Sequence, residues 1–146
     1  MMMESKQPVF IAVEVSIDTP VSAVWKRWTT PADIQGWNHA SDDWHTTYAE
    51  NDLREGGRFL YRMEAKDGSF GFDFSGTYDQ VIPNRLIEYT LDDERKVRIS
   101  FQNSGDSIRV IETFEAETVN TVELQRFGWQ AILDNFKKHT ESALIE

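Results

Sequence analysis

The sequence predicts an α+β fold built on a largely antiparallel sheet of about seven strands, with two short helices after the first strand and a long helix near the C-terminal end. Three observations carry this. Apolar residues alternate with period two in one run after another. The runs are separated by Asp67-Gly68, Pro83-Asn84, Asp92-Asp93 and Ser104-Gly105-Asp106, turn chemistry too short for a parallel crossover. Helical spacing with capping signals is confined to the stretch after the first strand and to residues from about 120 onward.

From Val9 to Ile17 the odd positions are all aliphatic, with Glu14 and Ser16 between them, as in a half-buried strand. Asp18-Thr19-Pro20 then supplies a capping oxygen and a proline at the first helical position, and Val21, Val24, Trp25 and Trp28 share a helical face. Thr30-Pro31-Ala32-Asp33 repeats the device, with Asp33 placed for a capping box. Ile34 and Trp37 then lie on one face of a second short helix that Gly36 helps to end. The remaining candidate strands are Trp44 to Asn51, Arg58 to Ala65, Phe70 to Val81, Arg85 to Leu91, Arg95 to Phe101 and Ser107 to Glu115. Asn120 then caps a long helix, with Glu123 as its box partner, running to about Ser142.

The chain has 146 residues, no repeats and no linker, which fits one domain over residues 1–146 with loose ends. Its net charge of −10 repels a phosphate backbone and an anionic bilayer, so no nucleic-acid partner is expected. No apolar run is long enough for a membrane span, and the opening Met1-Met2-Met3-Glu4-Ser5-Lys6 has no hydrophobic signal core behind it, so a cytoplasmic location is expected. The absence of cysteine leaves packing alone to hold the interior. Nine Phe, five Trp and four Tyr are more large rings than a minimal core needs, a first pointer to a concave ligand site.

Strand parity turns Phe59, Tyr61 and Met63 inward, and likewise Val97, Ile99 and Phe101. Phe70, Phe72, Phe74 and Tyr78 share parity, but Gly76 stands where a fifth side chain would be and Val81 is out of phase, which indicates a bulge or bend. In the last strand Ile108, Val110 and Phe114 share a face with Glu112. A carboxylate pointing inward is either a polar anchor in a pocket, a group paired with Arg or His, or a residue that a bulge returns to solvent. On the long helix Val122, Trp129, Ile132, Leu133 and Phe136 form a stripe that would lie across the sheet. Gly128 inside that helix suggests close approach by ligand or sheet. Leu124, Phe127 and Ala131 make a second apolar face, expected to pack on the short helices, with a partner surface as the alternative.

Several of these segments occur in an order that resembles a known family: Pro20-Val21-Ser22-Ala23-Val24-Trp25, Thr30-Pro31 leading to Trp37, Asp52-Leu53-Arg54-Glu55-Gly56-Gly57-Arg58-Phe59, Phe74-Ser75-Gly76-Thr77-Tyr78 and Gly128-Trp129-Gln130-Ala131-Ile132-Leu133. Together they resemble the bacterial homologues of the activator of heat-shock protein 90 ATPase, within the START-like superfamily that also holds polyketide cyclases and lipid-transfer domains. The resemblance implies a helix-grip fold, a curved antiparallel sheet wrapped around the C-terminal helix with a cavity between them. It also implies lipophilic ligands, as in many relatives, or a chaperone partner, as for the name-giving eukaryotic relative.

The function expected is therefore a binding protein enclosing a small lipophilic molecule, aromatic or acyl, with no cofactor. Phe72, Phe74, Tyr78, Ile99, Trp129 and Leu133 would supply walls, Tyr61 and Glu112 polar contacts, and Trp37 the mouth. The alternatives are a cyclase- or hydrolase-type enzyme using Glu112 as general base, and an interaction module acting on a chaperone. His39, Asp42, Asp43 and His45 are four ligand-capable side chains in seven residues, but their spacing matches no metal motif and reads as a polar loop. Gly68-Ser69-Phe70-Gly71 lacks nucleophile-elbow spacing. Glu112 with His39 or His45 could form an acid/base pair only if the fold brings them together.

Overall fold

The computed structural model describes residues 7–143. The loose ends expected from the sequence, and its opening methionines, lie outside the described residues. Ten elements follow the expected order: β1 (Phe10–Ile17), α1 (Val21–Thr29), α2 (Pro31–Trp37), β2 (Trp44–Asn51), β3 (Arg58–Ala65), β4 (Gly71–Ile82), β5 (Leu86–Leu91), β6 (Lys96–Ser104), β7 (Ser107–Glu115) and α3 (Val122–Ala143).

The seven strands form one antiparallel sheet in the order β1-β7-β6-β5-β4-β3-β2. Consecutive strands pair through short turns from β2 to β7, and the two-helix excursion lets β1 close the far edge against β7. The register slips between Thr46 and Tyr48 on β2 and between Tyr78 and Gln80 on β4. Each slip is a bulge, which increases local twist and curls the sheet into a half-barrel. The out-of-phase Val81 foreshadowed the second of these. Gly76 serves a different need, close packing: a Cβ there would lie 2.4 Å from the Thr90 carbonyl oxygen and 3.1 Å from the Phe59 ring.

α3 lies along β1 and against the two short helices. Trp28 of α1, Trp37 of α2 and Phe136 of α3 meet in one cluster, with Phe136 at ring centroid distances of 4.8 and 5.0 Å from the two indoles. Such edge-to-face pairs add roughly 0.5–1.5 kcal/mol each beyond area burial. Asp33 accepts from Arg27 (3.1 Å) and from His139 (2.8 Å), tying α2 to both neighbours. Gly36 makes room for this contact, since a Cβ there would sit 2.8 Å from Cε1 of His139.

The helix starts depart from the expected capping. Pro20 occupies the N-cap of α1 rather than the first helical position, and no side chain caps it; the Asp18 amide instead donates to Glu141. Thr30 and Pro31 sit where expected in α2, but Asp33 is spent on Arg27 and His139 instead of closing a box. At α3 the capping oxygen belongs to Thr121, which accepts from the Leu124 amide at 3.1 Å, while Asn120 is bound to Glu117 and Glu123 to Arg126. Leu124 and Phe127 do not pack on the short helices: they are 58% and 74% exposed. No helix among the described residues is long and apolar enough to cross a membrane.

Candidate functional site

Because α3 rests on the β1 side of the curled sheet, the inner faces of β3, β4 and β5 stand apart from most of it, the Phe74–Trp129 ring pair bridging the two. A cavity of about 330 Å³ remains between them, open to solvent at one side. Its sheet wall is Tyr61, Met63, Phe72, Phe74, Tyr78, Ile87 and Tyr89; its helix wall is Leu124, Gly128, Trp129 and Ile132; Trp28, Trp37 and Asn38 line it from the short helices. Fully buried Phe59 sits behind the sheet wall, its ring 4.7 Å from Tyr89 and 5.2 Å from both Tyr61 and Tyr78. On the helix side, Trp129 stacks on core residue Phe114 at 3.9 Å with 7° between planes and meets Phe74 edge-on at 6.1 Å.

The polar groups fall into two sets. At the rim, the start of α3 is stapled by Gln125, whose carboxamide donates to the carbonyls of Glu117 (3.1 Å) and Asn120 (2.9 Å) and accepts from the Glu117 amide (2.9 Å). Glu117 in turn takes the amide and side chain of Asn120, and Arg95 is held by Asp93 at 2.7 Å. Deeper lie the three tyrosines and Glu112. Burial pushes the phenol of Tyr78 up to about 12 and holds those of Tyr61 and Tyr89 well above the usual tyrosine range, so all three remain neutral hydroxyls.

Glu112 holds its expected inward face on β7, opposite Val13 and Ile99, and is 6% exposed. Burial alone raises its carboxyl to about 8. No charge or hydrogen bond offsets that, so the alternatives of a bulge to solvent and of pairing with Arg or His are both set aside. His39 and His45 do not line the cavity. The His39 imidazole is lowered by burial and by Lys66 and does not interact with Glu112, so the acid/base pair is not assembled. Among the described residues no three of His, Asp and Glu converge as a metal site, and Asp43 accepts from the Ser41 hydroxyl.

Of the nine residues expected at the site, Tyr61, Phe72, Phe74, Tyr78, Glu112, Trp129 and Trp37 line the cavity. Trp37 is no mouth residue: it is 3% exposed, and its indole N–H donates to the Arg27 carbonyl at 3.0 Å. Phe72 is the half-exposed ring nearest solvent. Ile99 and Leu133 are fully buried in the core away from the void. The stripe logic marked Leu133 as inward, but only packing decides which inward residues border space. Tyr89 was missed although Ile87, Tyr89 and Leu91 show inward parity in β5. Arg95 carried no sequence signal, because the side a turn residue faces depends on the sheet's curl.

The family model described as Activator of Hsp90 ATPase homolog 1-like protein matches residues 18–141. Among solved structures, the AHSA1-like protein from Aeromonas hydrophila is 46% identical over 94% of this chain and 96% of its own, with a TM-score of 0.88. A solution structure from Cytophaga hutchinsonii is 51% identical over 93% of this chain and 94% of its own, TM-score 0.80. A crystal structure from Nitrosomonas europaea is 18% identical over 94% and 97%, TM-score 0.79, a likeness of fold alone. No curated protein matches significantly.

Proposed function

The chain belongs to the Activator of Hsp90 ATPase homolog 1-like family, and from that premise we propose that it binds a small, mainly apolar ligand between its sheet and α3. The observation that carries this reading is the cavity itself: about 330 Å³ bounded by rings from both layers. Small-molecule sites commonly run from roughly 300 to 1,000 Å³ and are lined mainly by apolar and aromatic side chains. The test is titration of the protein with naphthalene, as a ring probe, and with a medium-chain fatty acid, as an acyl probe, followed by Trp fluorescence and backbone-amide shifts. Binding moves the amides of Phe74, Tyr89 and Trp129; if neither probe moves them, the reading fails.

Use of Glu112 as a general base is weaker, since the ionised form it requires is withheld by burial up to about pH 8. A second reading, action on an Hsp90-type ATPase, draws on the family's description and on the uncovered Leu124 and Phe127. Adding the protein to purified Hsp90 and measuring ATP turnover decides it, an unchanged rate removing the reading.

A further inference from the structure

Building on ligand binding in this cavity, we infer that the site selects an uncharged ligand whose head carries a hydrogen-bond acceptor and donor side by side, an amide or lactam, seated on the Glu112 carboxyl group.

At both ends of the cavity the polar groups are spent on one another. At the rim, Gln125, Glu117 and Asn120 satisfy one another, and Arg95 is engaged by Asp93. Asn38, at the other end, donates to the Thr46 hydroxyl (3.2 Å), which donates back to the Asn38 carbonyl. Glu112 alone projects a carboxyl group from an otherwise apolar strand face, between Val110 and Phe114. That carboxyl group lines the cavity without a hydrogen bond inside the chain, so a ligand that completes its hydrogen bonds gains over one that displaces its water and leaves it unpaired.

The elements around it supply no counter-charge. β1 and β6 present Val13 and Ile99, and α3 presents Trp129 and Ile132. The titratable side chains on the cavity are the neutral phenols of β3, β4 and β5, the Asp93-bound Arg95, and Glu117 at the rim. Glu112 is therefore a neutral carboxylic acid near pH 7, one O–H donor beside one C=O acceptor. An amide presents the reciprocal pair and closes two parallel hydrogen bonds. A hydrocarbon leaves both unpaired. An amine must take the proton and bury an ion pair in an apolar space that already holds a guanidinium, and burying such a pair costs the desolvation of both ions. A carboxylate can use the O–H but sets its charge against the acid's carbonyl oxygen.

The experiment compares four probes on one ring system: naphthalene, 2-naphthamide, 2-naphthylmethylammonium and 2-naphthoate. Each is titrated by amide shifts at pH 6.5 and 9 into the full chain and into Glu112→Gln and Glu112→Leu. The amide should bind at least tenfold tighter than naphthalene at pH 6.5, and the margin should shrink at pH 9. Glu112→Gln should keep the preference at both pH values, because its carboxamide offers the same donor and acceptor, whereas Glu112→Leu should bind naphthalene and lose the preference. Tightest binding by the ammonium or the naphthoate, equal binding of amide and naphthalene, or loss of preference in Glu112→Gln overturns the inference while leaving the binding site standing. Failure of all four probes overturns the inference, and failure of the fatty acid as well overturns the binding site.

Discussion

Gly128 occupies the middle of α3 where an added Cβ would meet nothing within 4 Å. The sequence marked it as a place of close approach, and the structure removes the sheet as the thing approaching: the glycine opens onto the cavity. Glycine inside a helix costs roughly 1 kcal/mol relative to alanine, and no packing contact offsets that here. Gly128→Ala should therefore raise the melting temperature by about 3 °C while weakening binding of the ring probe, a gain in stability and a loss of affinity read from the same protein. An unchanged affinity would show that the ligand does not reach this wall. Glu112 was legible from parity alone because every neighbour on its face is apolar. Its lack of a partner was not, since charges that could have reached it come from strands and turns remote in sequence.

Helix starts were located to within one residue but their capping groups were not, because a capping side chain chooses between the helix end and any tertiary partner within reach. Asp33 went to Arg27 and His139, and Asn120 to Glu117. At α3 this makes a sharp comparison. Thr121→Ala removes the oxygen that accepts from Leu124 and should cost about 1 kcal/mol, whereas Asn120→Ala loses only an exposed side-chain bond and should stay within about 0.5 kcal/mol. Urea denaturation of both variants checks this, and the reverse order would restore Asn120 as the cap. The strands were read more closely than the caps, since period-two burial depends only on which face meets the core, as in β1 and β7. The second apolar face of α3 was misplaced: Leu124 and Phe127 had a helical stripe, but α1 and α2 pack on other faces of the helix.

For the molecule as a whole, the buried acid couples folding to pH. In the fold Glu112 keeps its proton to about pH 8, but in the unfolded chain it loses it near 4.5. Between those values the folded state binds more protons, so stability falls as pH rises and levels off above 8. Glu112→Gln has no such titration. Its stability relative to the parent should grow by roughly 4–5 kcal/mol from pH 4.5 to pH 8, measurable by denaturant unfolding at pH 5, 6.5 and 8; parallel profiles would show that the carboxyl reaches water or a partner. Asp92, lowered to about 2 by Arg58 and Ser75, titrates in a separate window below 3.8 and is half exposed, so it does not mask the effect. The alternation of apolar residues and the turn chemistry between runs settled the strand number, the antiparallel pairing and the inward faces of β1, β3, β6 and β7, because these follow from backbone period and loop length, whereas Phe70 and Phe72, which share the inward parity of the β4 run, are 63% and 39% exposed. Whether inward residues touch or leave room, which of them border the room, and whether a carboxyl among them finds a partner were decided only when the sheet curled and α3 came to rest on one side of it, since voids and charge pairs arise between segments far apart in the chain.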